Sequence, residues 1–302
     1  MERDFQQNLV SEKLPEVRNV ARKVLVNNSD KIPWDIVDHG PNHADNVASS
    51  VDEVNDVLEE TSIVKTQLGR NLTPKERFED QAAGYLHDVG RVLGEKSHAQ
   101  RGAEFASSEK DLPLDKEERE KVSRLIELHS DGATRKKYGT DDLTELAEKG
   151  VISKNEAIQA TSLRIADALE AGKNRAERNS QDQVRSDVTR RIESSRSPEE
   201  AKSKLSHWIG HSGFDQPKLS TEDGAVKLRV RLDDEVLQSN GGDVAFRIKD
   251  LVRDISSTLV DKKYRLDLVG NKRQNVENWL NKYGDIMAEE LRGVDTRIGA
   301  KD

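Results

Sequence analysis

The segment GYLHDVGR, residues 84–91, sets His87 directly before Asp88 where an apolar helical stretch runs out at Gly90. An imidazole next to a carboxylate puts one nitrogen and two oxygen donors within reach of a divalent cation, the equipment of metal-assisted hydrolysis. The same dipeptide also fits a solvated turn at a helix end. A single His-Asp pair arises readily by chance, so the remaining histidines must decide between the two readings. Five of the seven lie between residues 39 and 129, as His39, His43, His87, His98 and His129.

Most of them continue an apolar helical stripe. His43 precedes Val47 by four residues, and His129 follows Leu125 by four and Val122 by seven, so each faces the core side of its helix. A lone histidine on such a face is more often a hydrogen-bonded core residue than a ligand. Asp167 in LRIADALEAG, four residues after Leu163, is harder to dismiss, because an unpaired carboxylate in a core costs several kcal/mol. Helices that each aim one imidazole or carboxylate inward are consistent with one another if a cation neutralises them together. The set His43, His87, Asp88, His98, His129 and Asp167 offers nitrogen and oxygen and no sulfur. That mix suits two octahedral divalent ions such as Mn, Fe, Mg or Ni better than a structural Zn site, and Asp88, with two oxygens, is the natural bridge.

These side chains need a scaffold, and the 302-residue chain is long enough for two domains of ordinary size. Charged residues make up 35% of it, apolar ones 33% and aromatics 4%, so the expected core is aliphatic beneath a heavily ionised surface. The net charge of −8 argues against an extended nucleic-acid surface or an anionic membrane, since both need a basic footprint. The absence of cysteine removes disulfides, thiolate catalysis and Cys-based zinc sites together. The N-terminal MERDFQQNLV has no apolar core, and no apolar run approaches a membrane span. The expectation is a soluble, cytoplasmic protein.

Helix signals are frequent. TPKE (73–76) and SKNE (153–156) read as capping boxes, and SPEE (197–200) as a third with Pro198 in the first helical position. Apolar spacing is helical from about residue 12 to 180, with one stripe of Val47, Val51, Val54 and Leu58 and others at Val122, Leu125, Ile126 and at Ile158, Thr161, Ile165. Residues 183–215 read as a polar helical connector. GAVKLRVRLDD (224–234) alternates as a half-buried strand, a helix is expected at about 243–260, YRLDLVG (264–270) is a second strand, and QNVENWLNKYGDIMAEEL a last helix. The fold class is mainly α: a helical domain over 1–182, the connector, and a small α/β module over 216–302. HWIGH (207–211) repeats the His spacing of four, without the carboxylate pattern that would make it a metal motif.

The order of the first-half motifs resembles the HD-domain superfamily of metal-dependent phosphohydrolases. HADNV (43–47) is similar to that family's first His segment, GYLHDVGR to its His-Asp centre, which often ends in Lys where this chain has Arg91, and SHAQRGAE (97–104) to the segment that follows. IELHSDG (126–132) supplies a further His, and ADALEAGKNR (166–175) resembles the final-Asp segment. The likeness covers about residues 17–180. It implies that His43, His87, Asp88 and Asp167 are core metal ligands, with His98 and His129 joining a second ion as in two-metal branches. The Gly-Tyr-Pro of cyclic-di-nucleotide hydrolases is replaced after His129 by SDGATRKKYG.

The resemblance also implies a reaction. Two divalent ions, of Mn, Fe, Mg, Ni or Zn, would turn water into an attacking hydroxide and bind phosphoryl oxygens, so the expected enzyme is a phosphoric ester hydrolase. Its substrate would be a small phosphomonoester or phosphodiester of a nucleotide. Besides Asp88, the expected catalytic residues are His39 and Arg91. His39, four residues before His43, matches the offset of the general acid in cyclic-nucleotide phosphodiesterases. Arg91, Arg101, Lys173 and Arg175 are candidates to grip the substrate phosphate, although such cations commonly serve helix ends. The rival reading is a non-catalytic HD fold that senses a metal or nucleotide. A homodimer built by the C-terminal module is a further expectation.

Overall fold

A computed structural model of the protein describes residues 12–28, 39–93, 97–173, 198–258 and 264–300. Its contacts divide the chain into two compact units, one built around residues 39–167 and the other around residues 168–302. The sequence reading puts the border later, near 182–216.

The first unit is helical, as its 3.6-residue apolar spacing requires. Its elements are α1 (Leu14–Asn27), α2 (Pro41–Glu60), α3 (Ile63–Leu68), α4 (Pro74–Leu86), a 3-10 turn at Val89–Val92, α5 (His98–Ser108), α6 (Lys116–Leu128), α7 (Asp131–Tyr138), α8 (Leu143–Glu148) and α9 (Lys154–Leu169). The stripe Val47, Val51, Val54 and Leu58 is fully buried, as are Leu125, Ile126, Leu163 and Ile165. Burying side chains of this size stabilises each helix by about 1.5–3 kcal/mol apiece, which is why the marginal propensities of these polar helices suffice. The TPKE box is formed: Glu76 N–H donates to Thr73 Oγ1 and the Glu76 carboxylate accepts from Thr73 N–H. SKNE does the same through Ser153 and Glu156. Asp115 and Glu118 form another that the sequence reading missed, at the start of α6. Ser197, the cap expected for SPEE, lies outside the described residues.

One close approach fixes the middle of this unit. A Cβ at Gly84 would lie 2.8 Å from the Ala48 Cα, so α4 presses backbone against α2 at a point only a glycine allows. Ala48 is five residues past His43, and Gly84 is three before His87. The contact therefore brings those two rings together.

The second unit contains α10 (Pro198–Ser212), β1 (Lys218–Glu222), β2 (Ala225–Arg231), α11 (Asp234–Thr258), β3 (Tyr264–Gly270), α12 (Arg273–Met287) and β4 (Asp295–Ala300). The sheet runs β1-β2-β3-β4, with β1 antiparallel to β2 and the other pairs parallel. Val226, Leu228, Val230, Leu266 and Leu268 join Ile248, Leu251, Val276 and Trp279 in its core. Both strands expected from sequence are present. The edge strands β1 and β4 were not expected, and α11 begins at Asp234 rather than near 243, with non-helical dihedrals at Asn240 marking the break that hid its first turns. Residues 198–212 of the expected connector form α10, which packs on α11 within this unit.

Candidate metal centre

The site is assembled from helix ends. His87 caps the C-terminus of α4 and His129 that of α6, while Asp167 lies in the last turn of α9. His98 opens α5 and His43 stands in the first turn of α2. In both C-capping histidines Nδ1 faces the carbonyl three residues back: His87 to Gly84 O at 2.8 Å and His129 to Ile126 O at 2.5 Å. A carbonyl can only accept, so each Nδ1 carries a proton and each ring turns its Nε2 inward. These carbonyls are site components that no side-chain motif announces. The spacing of three from each His at a helix end is the signal that could have found them.

The Nε2 atoms of His87 and His43 stand 3.2 Å apart. Asp167 Oδ1 lies 3.3 Å from His43 Nε2 and 3.8 Å from His87 Nε2. Asp88 Oδ2 is 3.6 Å from each of those nitrogens and 2.9 Å from His39 Nδ1. The other oxygen, Oδ1, is 3.8 Å from His98 Nε2 and accepts from Arg91 Nε at 2.7 Å. Three groups result, each with donor atoms within 4.8 Å of one another: His39, His43, Asp88; His43, His87, Asp167; and Asp88, His98, His129. Two ligands about 2.1 Å from one ion stand roughly 3.0–3.4 Å apart, and the His43–His87 and His43–Asp167 separations fall in that range. The donor set fits a divalent cation, and Asp88 belongs to two groups through different oxygens.

The electrostatics suit ligation. Burial alone would push Asp88 up, but the Arg91 charge, with His87 and His39, holds it well below the usual carboxylate range, so it is ionised. Burial pushes His98 down to about 4, partly offset by Asp88, and pushes His129 down to about 3 with His87 and His98 adding to the effect. Both rings are therefore neutral at pH 7, the form that binds metal.

The residues expected from sequence to ligate metal come together here, and His39 joins them. The expected phosphate-binding cations do not gather alike. Arg91 is half-buried with Nε committed to Asp88, which orients that carboxylate. Arg101 pairs weakly with Glu104 at 3.4 Å. Lys173 pairs with Asp215 at 2.6 Å inside the second unit. Arg175 lies outside the described residues. A glycine matters again at the His-Asp turn, where a Cβ on Gly90 would lie 1.9 Å from the His98 carbonyl oxygen. His207 and His211 of α10 face each other at 3.2 Å between Nε2 atoms, and belong to no group of three ligands among the described residues.

No described helix is long and apolar enough to cross a membrane. Residues 42–172 match the family model described as HD domain. Comparison with curated proteins gives no match.

Proposed function

We propose, for a chain that belongs to the HD-domain superfamily through residues 42–172, a metal-dependent phosphohydrolase that cleaves a phosphomonoester or phosphodiester of a nucleotide. One observation carries this reading: the inward Nε2 of His87 meets His43 Nε2, Asp167 Oδ1 and Asp88 Oδ2 within 3.8 Å. With its Nδ1–H on Gly84 O, the His87 ring turns Nε2 into this convergence, and a cation answers it best.

Divalent ions held by these ligands would generate hydroxide near neutral pH and offset charge on the phosphoryl oxygens. The protein's own groups do the rest. Asp88 belongs to two of the three ligand groups and so ties them together, while Arg91 keeps that carboxylate from rotating. His39 donates Nδ1–H to the ionised Asp88, which leaves Nε2 as the nitrogen that could serve a leaving group with a proton. We assign His39 the delivery of that proton to the leaving oxygen, a role worth 10²–10³ or more in rate when the leaving group is poor.

The test is a panel of nucleoside monophosphates, cyclic nucleotides and p-nitrophenyl phosphate assayed with Mn-loaded full-length protein, beside elemental analysis of wild type and His87→Ala. Hydrolysis that disappears with the metal in the variant supports the proposal. A folded, loaded protein that cleaves nothing, with His87→Ala holding as much metal as wild type, sinks it. Metal held by the ligands without hydrolysis favours a sensor.

A further inference from the structure

Arg164 lies one turn before Asp167 on α9, and its side chain is 5% exposed. A guanidinium does not lose its charge at this depth, so it survives burial only by spending its donors. Four of its partners fall between residues 128 and 141. Nε donates to Leu128 O at 2.8 Å, and Nη1 donates to Asp141 O at 2.9 Å and pairs with Asp131 Oδ1 at 2.6 Å. Nη2 donates to Thr134 Oγ1 at 3.1 Å. The first of these acceptors is the last carbonyl of α6, immediately before His129. The others anchor α7 and the turn before α8.

We infer that Arg164 is a positioning residue for the metal centre: it clamps the end of α6, and with it His129, to the helix that carries Asp167. The inference rests on the two-metal reading above and names a component outside it. Two supports hold the ligand groups, and they are separate. The group His43, His87, Asp167 is set by the close contact of α2 and α4 at Ala48 and Gly84, and by Ser162 and Gln159 of α9, which donate to Asn55 Oδ1 on α2 and to the Glu76 carbonyl on α4. The group Asp88, His98, His129 depends on where residue 128 ends, since His129 Nδ1 is fixed only to the Ile126 carbonyl of its own helix. Loss of the clamp leaves the Leu128 and Asp141 carbonyls and the Asp131 carboxylate without that donor and releases residues 128–141 from α9. The first group keeps its support.

The experiment is calorimetric titration of metal-free, full-length protein with Mn²⁺, with helical content followed by circular dichroism. Wild type is expected to take two ions. Arg164→Met is expected to keep the first ion near its wild-type affinity and to bind the second on the order of 10–100-fold more weakly, the usual effect of removing a group that orients a ligand. Arg164→Lys should show the same selective loss, because a single ammonium cannot span acceptors this far apart. Val54→Ala, buried in α2, is the control for general destabilisation: it should lower Tm and leave both ions in place. Should Arg164→Met fail to fold, the pair Thr134→Val and Asp131→Ala removes two of the acceptors, and the second ion should again be the one weakened. A folded clamp variant that binds both ions as wild type does overturns the role of Arg164 alone. A wild type that takes fewer than two ions overturns the two-metal reading and this inference with it.

Discussion

His43 Nε2 and His87 Nε2 face each other across 3.2 Å in the interior of the first unit, His43 from the start of α2 and His87 from the end of α4. Two buried imidazoles at that distance share a proton or a cation. Sharing a cation makes the native state a ligand complex, so metal removal should cost stability. Chelation followed by dialysis is expected to lower Tm, and restoring Mn²⁺ at a hundredfold excess over its dissociation constant should return about 2.7 kcal/mol. His87→Ala should abolish that return. A Tm indifferent to chelator in wild type would contradict the assignment.

His39 shares Asp88 Oδ2 with the ligands, and its role as proton donor is separable from ligation by leaving group. His39→Gln should slow hydrolysis of an alkyl phosphate ester by about 10²-fold or more and that of p-nitrophenyl phosphate little, because the phenolate needs no proton. Equal losses on both, together with lost metal, would make His39 a ligand instead.

Asp80 supplies a pH signature away from the metal. It is fully buried on α4, accepts from Asn55 Nδ2 at 3.0 Å, and burial raises it from 3.8 to about 8. The unfolded carboxyl ionises near its ordinary value and the folded one near 8. Between those limits the native state holds a proton that the unfolded state has lost, so this group's contribution falls as pH rises through the window. Glu79, raised to about 7 chiefly by burial, acts in the same direction. His98 and His129 act oppositely, with folded values of about 4 and about 3, and their effect is complete by about pH 7. Asp80→Asn isolates the first effect. The stability difference, variant minus wild type, should grow by a few kcal/mol between pH 5 and pH 8 in urea titrations. A difference flat across that range would place the proton elsewhere.

Gly90 offers a structural test of the His-Asp turn. Gly90→Ala would drive a Cβ into the His98 carbonyl and the Gly102 amide, at 1.9 and 2.6 Å, both backbone atoms that cannot swing aside. The helix α5 must move, carrying His98 from Asp88. Roughly 1–3 kcal/mol of destabilisation and weaker binding of one ion are expected, against an unchanged Gly132→Ala, where the Cβ meets nothing.

The sequence shows the ligands because ligation demands particular residue types at helical spacing, and His43, His129 and Asp167 stand on apolar stripes that a pattern can display. It shows β2 because one alternating face is buried, and β3 because nearly the whole short run is buried. The edges β1 and β4 are half-wet along their length, so hydrophobic alternation is weak in KLSTE and DTRIGA. One signal for β1 was present: Asp223-Gly224, both at positive φ, is the dipeptide of a tight hairpin turn. Backbone partners such as Gly84 O and Ile126 O have no side-chain letter at all. The reach of Arg91 to Asp88 rather than outward follows from the 3-10 turn at Val89–Val92, whose tighter winding turns residue 91 back over residue 88.

Three helices, α4, α6 and α9, end at the ligand cluster and two, α2 and α5, begin there, so terminal charges of about half a unit each leave a small negative excess. The ionised Asp88 adds to it, paired with Arg91, and the Asp167 carboxyl stands beside it. Without metal the cluster is thus a trap for cations and a barrier to anions, the phosphate ester of the proposed function among them. On the proposed function, turnover is then ordered. Metal must arrive first and invert the sign of the local potential, and chelation should abolish substrate binding itself as well as the chemical step.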